Sequence, residues 1–472
     1  MKKNYLKPLF IVGCLILATC AAMAYTSRAN NPEPAPSITG KTGIVRLSGQ
    51  LVQDKIFSGG DGTASLSLTL SADKVYDNEK DDARHVDMVI VLDRSGSMQG
   101  NKIRDARQAV LNLLSSLSDQ DRFALVSYSN GVQRNSGLVK VTDSNREHLS
   151  SIVRQISPGG GTNLGAGLHE GLNVLLQAQK NGNAGKIILI SDGLANEGIT
   201  DIPSLGNMAS IAVEKAFGIS TVGVGANFNE QLITAVADRG AGSYYYLENP
   251  NAFAQVFQKE FLSTRNVAAA SVEVRVPLSN NMSLVNANGY PVEIKDNQAV
   301  FHPGDILSGQ TRKLFLTFRM PADTEKTFEI KGINVRYQHK GEKYTVALSE
   351  PFSIACVKDS KEVFASIDKK EWEQKVLQED YNELREKVAQ DIKMGKQKDA
   401  LDKIQRYEAE KQSANDVLKS GKVDENLNKE VKQMRDFVEH TFSGKQEEVE
   451  TKQKKNAKKL QFEGYKGRRG SW

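Results

Sequence analysis

Val86-Asp87-Met88-Val89-Ile90-Val91-Leu92 is an almost unbroken apolar run that ends on Asp93-Arg94-Ser95-Gly96-Ser97. A run of this kind suits a strand buried on both faces, as in parallel sheets covered by helices. A second run, Ile187-Ile188-Leu189-Ile190, ends on Ser191-Asp192-Gly193. Strand patterns fall at Val86–Leu92, Phe123–Tyr128, Lys186–Ser191, Ser220–Val224 and Ser243–Tyr246, with a weaker edge candidate at Leu138–Val141. Helical patterns alternate with them at Lys102–Leu117, Arg146–Ile156, Leu164–Gln179, Pro203–Phe217, Glu230–Asp238 and Ala252–Phe261. This order predicts a doubly wound, mainly parallel α/β sheet over residues 84–264. Sheets of this type bind ligands beyond the carboxyl ends of their strands, where Asp93 and Asp192 both fall.

Asp-x-Ser-x-Ser places one carboxylate and two small hydroxyls on a tight loop, and Gly96 lets the backbone turn between them. An oxygen-only set of this kind suits a hard divalent cation. The motif alone is short. Two further segments extend it: Gly159-Gly160-Gly161-Thr162-Asn163-Leu164-Gly165, ahead of an amphipathic helix, and the strand that ends at Asp192. Each residue also has a local structural use. Asp93 suits a cap, Ser97 a backbone bond, Thr162 an N-cap and Asp192 the Gly193 turn.

Taken together, these segments resemble the von Willebrand factor A family and its metal-ion-dependent adhesion site, over roughly Arg84 to Leu262. The resemblance implies a Rossmann-like fold and a metal site formed by Asp93, Ser95, Ser97, Thr162 and Asp192. It implies that the serines and the threonine hold Mg²⁺ directly or through water, and that the two aspartates act mostly through water. Mn²⁺ and Ca²⁺ are alternatives to Mg²⁺. Mg²⁺ favours six oxygens and gives up water reluctantly. Hydroxyl ligands neutralise little of its charge, so an open position can take a carboxylate from another protein.

The flanks read differently. Leu66, Leu68 and Leu70 alternate, as do Val272, Val274, Val276 and Leu314, Leu316, Phe318. The first flank has too few strands to bury a core alone. Residues 42–83 and 265–358 are therefore expected to form one β-sandwich into which the 84–264 domain is inserted. Residues 366–442 read as a small helical bundle, with breaks at Gly395 and Gly421. Its stripes are Trp372, Val376, Tyr381, Leu384, Val388 and Ile392; then Leu401, Ile404, Tyr407 and Leu418; then Leu427, Val431, Met434 and Val438. Residues 443–472, rich in lysine, read as a basic disordered tail.

The chain has 472 residues and a formal charge of +5. Lys2, Lys3 and Lys7 precede an apolar stretch from Leu9 to Ala18 and the small-residue site Ala22-Met23-Ala24. Residues 1–24 thus read as an export signal, with Tyr25 as the first mature residue and 25–41 as a proline-containing linker. Leu17-Ala18-Thr19-Cys20 is similar to a lipobox, with Thr19 where that pattern has Gly or Ala. Lipidation at Cys20 or an uncleaved N-terminal anchor are the alternatives. Without the three lysines the charge falls from +5 to +2, too little to argue for nucleic acid or a membrane surface. Of the three cysteines, only Cys356 lies outside this segment, where it reads as a buried small side chain.

No catalytic constellation emerges. The 159–162 glycines lack the Gly-Lys-Ser/Thr of a phosphate loop. Gly223-Val224-Gly225-Ala226 lacks the third glycine of a dinucleotide fingerprint, and there is no nucleophile elbow. Ser95 and Ser97 have no histidine base nearby in sequence; His85 and His169 are isolated, and Tyr244-Tyr245-Tyr246 reads as strand packing. The expected function is non-enzymatic: metal-dependent binding of a protein through an acidic side chain, in adhesion or envelope assembly, in the periplasm or at the surface of a bacterium. The alternative is a membrane-anchored regulatory or assembly subunit of an ATPase or enzyme complex. No specific nucleic acid is expected, and a membrane only through a lipid or N-terminal anchor.

Overall fold

A computed structural model describes residues 38–75, 85–178, 183–249, 252–278 and 281–469. The expected signal, lipobox, cleavage site and most of the linker lie outside these residues.

Within the α/β domain, among the described residues, the sheet has seven strands. Ala241–Leu247, Phe217–Val224, Ala184–Ser191, Val86–Asp93 and Arg122–Tyr128 lie side by side in parallel. Val132–Arg134 and Val139–Lys140 add antiparallel pairs to the last of them. The apolar run places side chains on both faces. Val86, Met88, Ile90 and Leu92 pack with helices Asn101–Ser116, Asp143–Gln155 and Phe253–Arg265. Val89 and Val91 face helices Leu164–Gln177, Ile202–Glu214 and Glu230–Arg239. Four of these helices start on a side chain that accepts a backbone N–H: Thr142, Asn163, Asp201 and Asn229. The fourth helix ends at Glu214, short of the expected Phe217, because Ala216 turns left-handed (φ 61°) and Phe217 opens the next strand.

The flanking segments meet in a β-sandwich. Thr63–Ala72 pairs antiparallel with Thr311–Arg319 through nine residue pairs, although the whole α/β domain separates them in sequence. Val45–Leu51, Ile38–Thr42 and Ser283–Ala287 complete that sheet. A second sheet, built on Val267–Pro277 and Asn334–His339, packs against it. Leu66, Leu68 and Leu70 share one core with Leu314, Leu316, Phe318, Val272, Val274 and Val276, and Cys356 lies buried in it as a free thiol.

The outer face of the first sheet is covered by helices. Val52 and Phe315 pack with Trp372, Val376, Leu384 and Val388, and Lys313 pairs with Glu371 at 2.7 Å. The chain turns at Gly395 (φ 72°), as expected. The second break falls slightly earlier than Gly421: Lys419 is left-handed and Ser420 caps the next helix.

The last segment differs from the expected disordered tail. Gln446–Arg469 is a helix of 24 residues that packs along Tyr381–Lys393 and the Ala241–Leu247 edge of the α/β sheet. Phe462 and Tyr465 stand edge-on to Tyr244, with ring centroids 5.6 and 5.4 Å apart. The close approach requires Gly464, where a Cβ would lie 2.7 Å from the Asn382 carbonyl oxygen. Its buried cations are paired: Lys458 with Glu230 and Arg469 with Asp238, and Arg468 with both Glu379 and Glu386. Pairing with carboxylates distant in sequence offsets the cost of burying charge, and sequence composition does not show it.

Candidate functional site

The parallel register brings Asp93 and Asp192 to the same edge of the sheet. Leu92 lies opposite Ile190, and each strand then breaks into its loop. Both aspartate side chains are fully buried. Asp93 Oδ1 accepts the Ser95 backbone N–H at 2.8 Å, and its Oδ2 accepts the Ser191 hydroxyl at 3.1 Å. The Ser95 and Ser97 hydroxyls lie 3.0 Å apart, and Ser97 Oγ donates to Asp192 Oδ1 at 2.7 Å. Ser97 therefore spends its hydroxyl on side chains, not on a local backbone bond.

Thr162 comes from a third loop. Its neighbour Asn163 is the N-cap of the following helix, so Thr162 is not used for that purpose. Asn196 grips the Thr162 backbone at both ends: its Oδ1 accepts the Thr162 N–H at 2.9 Å and its N–H donates to the Thr162 carbonyl at 3.2 Å. The Asp-x-Ser-x-Ser loop is tied to the glycine loop by Gly96 N–H to the Gly160 carbonyl at 3.0 Å and Gly159 N–H to the Arg94 carbonyl at 2.7 Å. Gly160 holds φ 84° in this crossing. A Cβ on Gly193 would lie 3.4 Å from the Ser97 hydroxyl and 3.6 Å from that of Thr162, so these two oxygens face one point. The five residues singled out in the sequence thus converge.

The electrostatics are lopsided. Burial pushes the Asp93 carboxyl up to about 6, and the Asp192 charge adds to this against the bonds from Ser95. Lys102, which sequence reasoning missed, sends its ammonium to Asp192 Oδ2 at 2.5 Å and to the Ser97 carbonyl at 3.2 Å. It sits in the first turn of the helix after the motif, a position that could have flagged it. Asn196 and Ser191 were also missed; nothing local in the sequence marks them. Ser97, Thr162 and Gly193 open into a cleft of about 620 Å³, which is also lined by Phe228, Lys393 and Lys458.

An oxygen-rich crevice at the carboxyl edge of a doubly wound parallel sheet defines an α/β binding domain. Residues 87–259 match the von Willebrand factor type A domain, and the chain carries a domain of that family. Over 205 residues the chain is 30% identical to inter-alpha-trypsin inhibitor heavy chain H1 of Sus scrofa, a match that covers 42% of this chain and 22% of that one. The chain thus spans about a fifth of the length of that relative. An uncharacterised Synechocystis protein, sll0103, is 23% identical over 321 residues, covering 64% of this chain and 73% of its own length. Among solved structures, a von Willebrand factor type A protein from Catenulispora acidiphila superposes with a TM-score of 0.65 at 14% identity, covering 91% of this chain and 97% of that one. The shared fold therefore extends well beyond the A domain.

Proposed function

We propose that this chain is a non-enzymatic binding protein that captures a partner carboxylate through a divalent cation, Mg²⁺, Mn²⁺ or Ca²⁺, held by Asp93, Ser95, Ser97, Thr162 and Asp192. The single observation that carries this reading is the charge imbalance of the crevice. Two fully buried carboxylates face three hydroxyl-bearing side chains, and the ammonium of Lys102 offsets only one of them. Asp93 has no ion pair among the described residues. A divalent cation would supply the missing charge and an electrophilic position for an outside oxygen. The chain's own contribution is to fix the five side chains by the loop crossing and by Asn196. The Ser95 and Ser97 hydroxyls bond to each other, and Ser97 donates to Asp192.

Likeness to an inhibitor heavy chain supports a protein-binding role. The basic and apolar start of the sequence supports export to the bacterial envelope. No helix among the described residues is long and apolar enough to cross a membrane.

The test is Mn²⁺ titration of the purified protein by calorimetry, alongside Asp93→Asn and Ser95→Ala. Loss of one ligand or its support should weaken affinity about tenfold to a hundredfold. Equal affinity in all three proteins would reject the site.

A further inference from the structure

The cleft that opens from Ser97 and Thr162 is not confined to the A domain. Its wall also contains Lys393 from the helical bundle, and Lys454 and Lys458 from the last helix. Glu230 is the one acidic residue lining it, and both Lys393 and Lys458 bond to that carboxylate. Three lysines against one glutamate leave the lining at a formal +2. Lys454 is exposed and has no ion pair among the described residues. Leu194, 59% exposed, adds an apolar surface beside these charges.

We propose that the partner is an acidic protein segment with two anchoring carboxylates, one at the Ser97–Thr162 crevice and a second at Lys454, with an apolar side chain against Leu194. The proposal rests on the metal-bridged reading for its first anchor only. A cleft of about 620 Å³ has room for a few residues of an extended segment and is too small for a folded domain. A basic segment would meet like charge at Lys454. The last helix thereby supplies part of the binding face as well as structural packing.

The experiment uses the full chain and three fluorescent peptides of equal length, each with one leucine. They carry no acid, one acid or two acids. Separations of one to five residues between the two acids span roughly 7 to 20 Å at about 3.4 Å per residue. Binding is read by anisotropy in Mg²⁺ and in EDTA, for wild type and Lys454→Glu. In Mg²⁺ the best two-acid peptide should bind wild type about two- to fivefold tighter than the one-acid peptide. Lys454→Glu should cancel that advantage. Mg²⁺-dependent binding of both peptides with equal affinity would overturn the second anchor and leave the metal reading intact. Affinities unchanged by EDTA, with a two-acid preference that is lost in Lys454→Glu, would uphold the second anchor and reject the metal bridge. Binding of neither peptide would reject both.

Discussion

Lys102 gives the sharpest test of how the crevice balances its charge, because its effect should change with the cation. Its ammonium lies 2.5 Å from Asp192 Oδ2, with 28% of the lysine side chain exposed and the aspartate fully buried. Breaking a buried pair by removing one partner costs about 3–5 kcal/mol. Solvent reaches Lys102, so for Lys102→Met the expected loss is about 2 kcal/mol. With a divalent cation bound, the same ammonium becomes a like charge. Two unit charges 4 Å apart interact by about 4 kcal/mol at an effective dielectric of 20. Relief of about a third of that, roughly 1.4 kcal/mol, is a tenfold gain in metal affinity. At Mg²⁺ a hundred times the wild-type Kd, linkage stabilises wild type by about 2.7 kcal/mol and the variant by about 4.1 kcal/mol. Urea unfolding in EDTA and in Mg²⁺ measures both quantities. The stability gap between the two proteins should shrink from about 2 to below about 1 kcal/mol when Mg²⁺ is added. A gap that stays the same or widens refutes the idea that Lys102 and a cation share Asp192.

Three further outcomes follow from the packing. Tyr465→Ala removes a buried ring and should cost about 3–5 kcal/mol in urea unfolding, whereas Tyr465→Phe loses only the bonds of its hydroxyl to Tyr244 N–H and Asp238 and should cost about 1 kcal/mol; a cost below about 1 kcal/mol for the alanine variant would show the last helix to be dispensable. Glu260 is buried against Lys186, Tyr245 and Ser220; despite burial, these partners hold its carboxyl below the usual 4.5. Because its folded pKa is depressed, its contribution is complete above pH 4.5 and fades as pH falls below that value, so Glu260→Gln should be less stable at neutral pH with a shallower acid limb, and parallel acid limbs would disprove the assignment. Fragment 84–264 should fold alone, whereas 266–357 without 42–72 should not, since Thr311–Arg319 would lose its partner strand; a cooperative unfolding transition of the second fragment would contradict this.

The α/β domain was legible because its signals are local. The Val86–Leu92 run packs on both faces, and period and length alone distinguish it from the alternating flanks. The sandwich was legible by insufficiency: Leu66, Leu68 and Leu70 need a partner sheet, and residues 42–83 do not contain one. The candidate site was legible as five residues in order, and the structure brings them together. Their supports were not legible. Asn196 holds the Thr162 backbone with its side-chain Oδ1 and its own backbone N–H, and their separation of 34 residues leaves no local pattern to mark the pairing. Helix ends were read to within about four residues: left-handed Ala216 and Lys419 stop two helices earlier than expected, whereas Phe253–Arg265 runs past the expected Phe261 and the Thr142 cap starts a helix at Asp143, ahead of the expected Arg146.

The last helix was misread for a reason that bears on function. A lysine-rich segment reads as a solvated tail only if its charges have no fixed counterparts. Here Lys458, Arg468 and Arg469 meet Glu230, Glu379, Glu386 and Asp238, all at least 82 residues away. These pairs, with Phe462 and Tyr465 against Tyr244, press a cationic helix onto the sheet edge beside the crevice. Charge that sequence composition assigns to solvent is thus placed on the wall of the cleft beside Ser97 and Thr162. Lys454 remains exposed on the same helix, so one element both seals the fold and presents a free ammonium to whatever occupies the cleft. Substitutions on its buried side should therefore alter stability first, and those at Lys454 should alter binding alone.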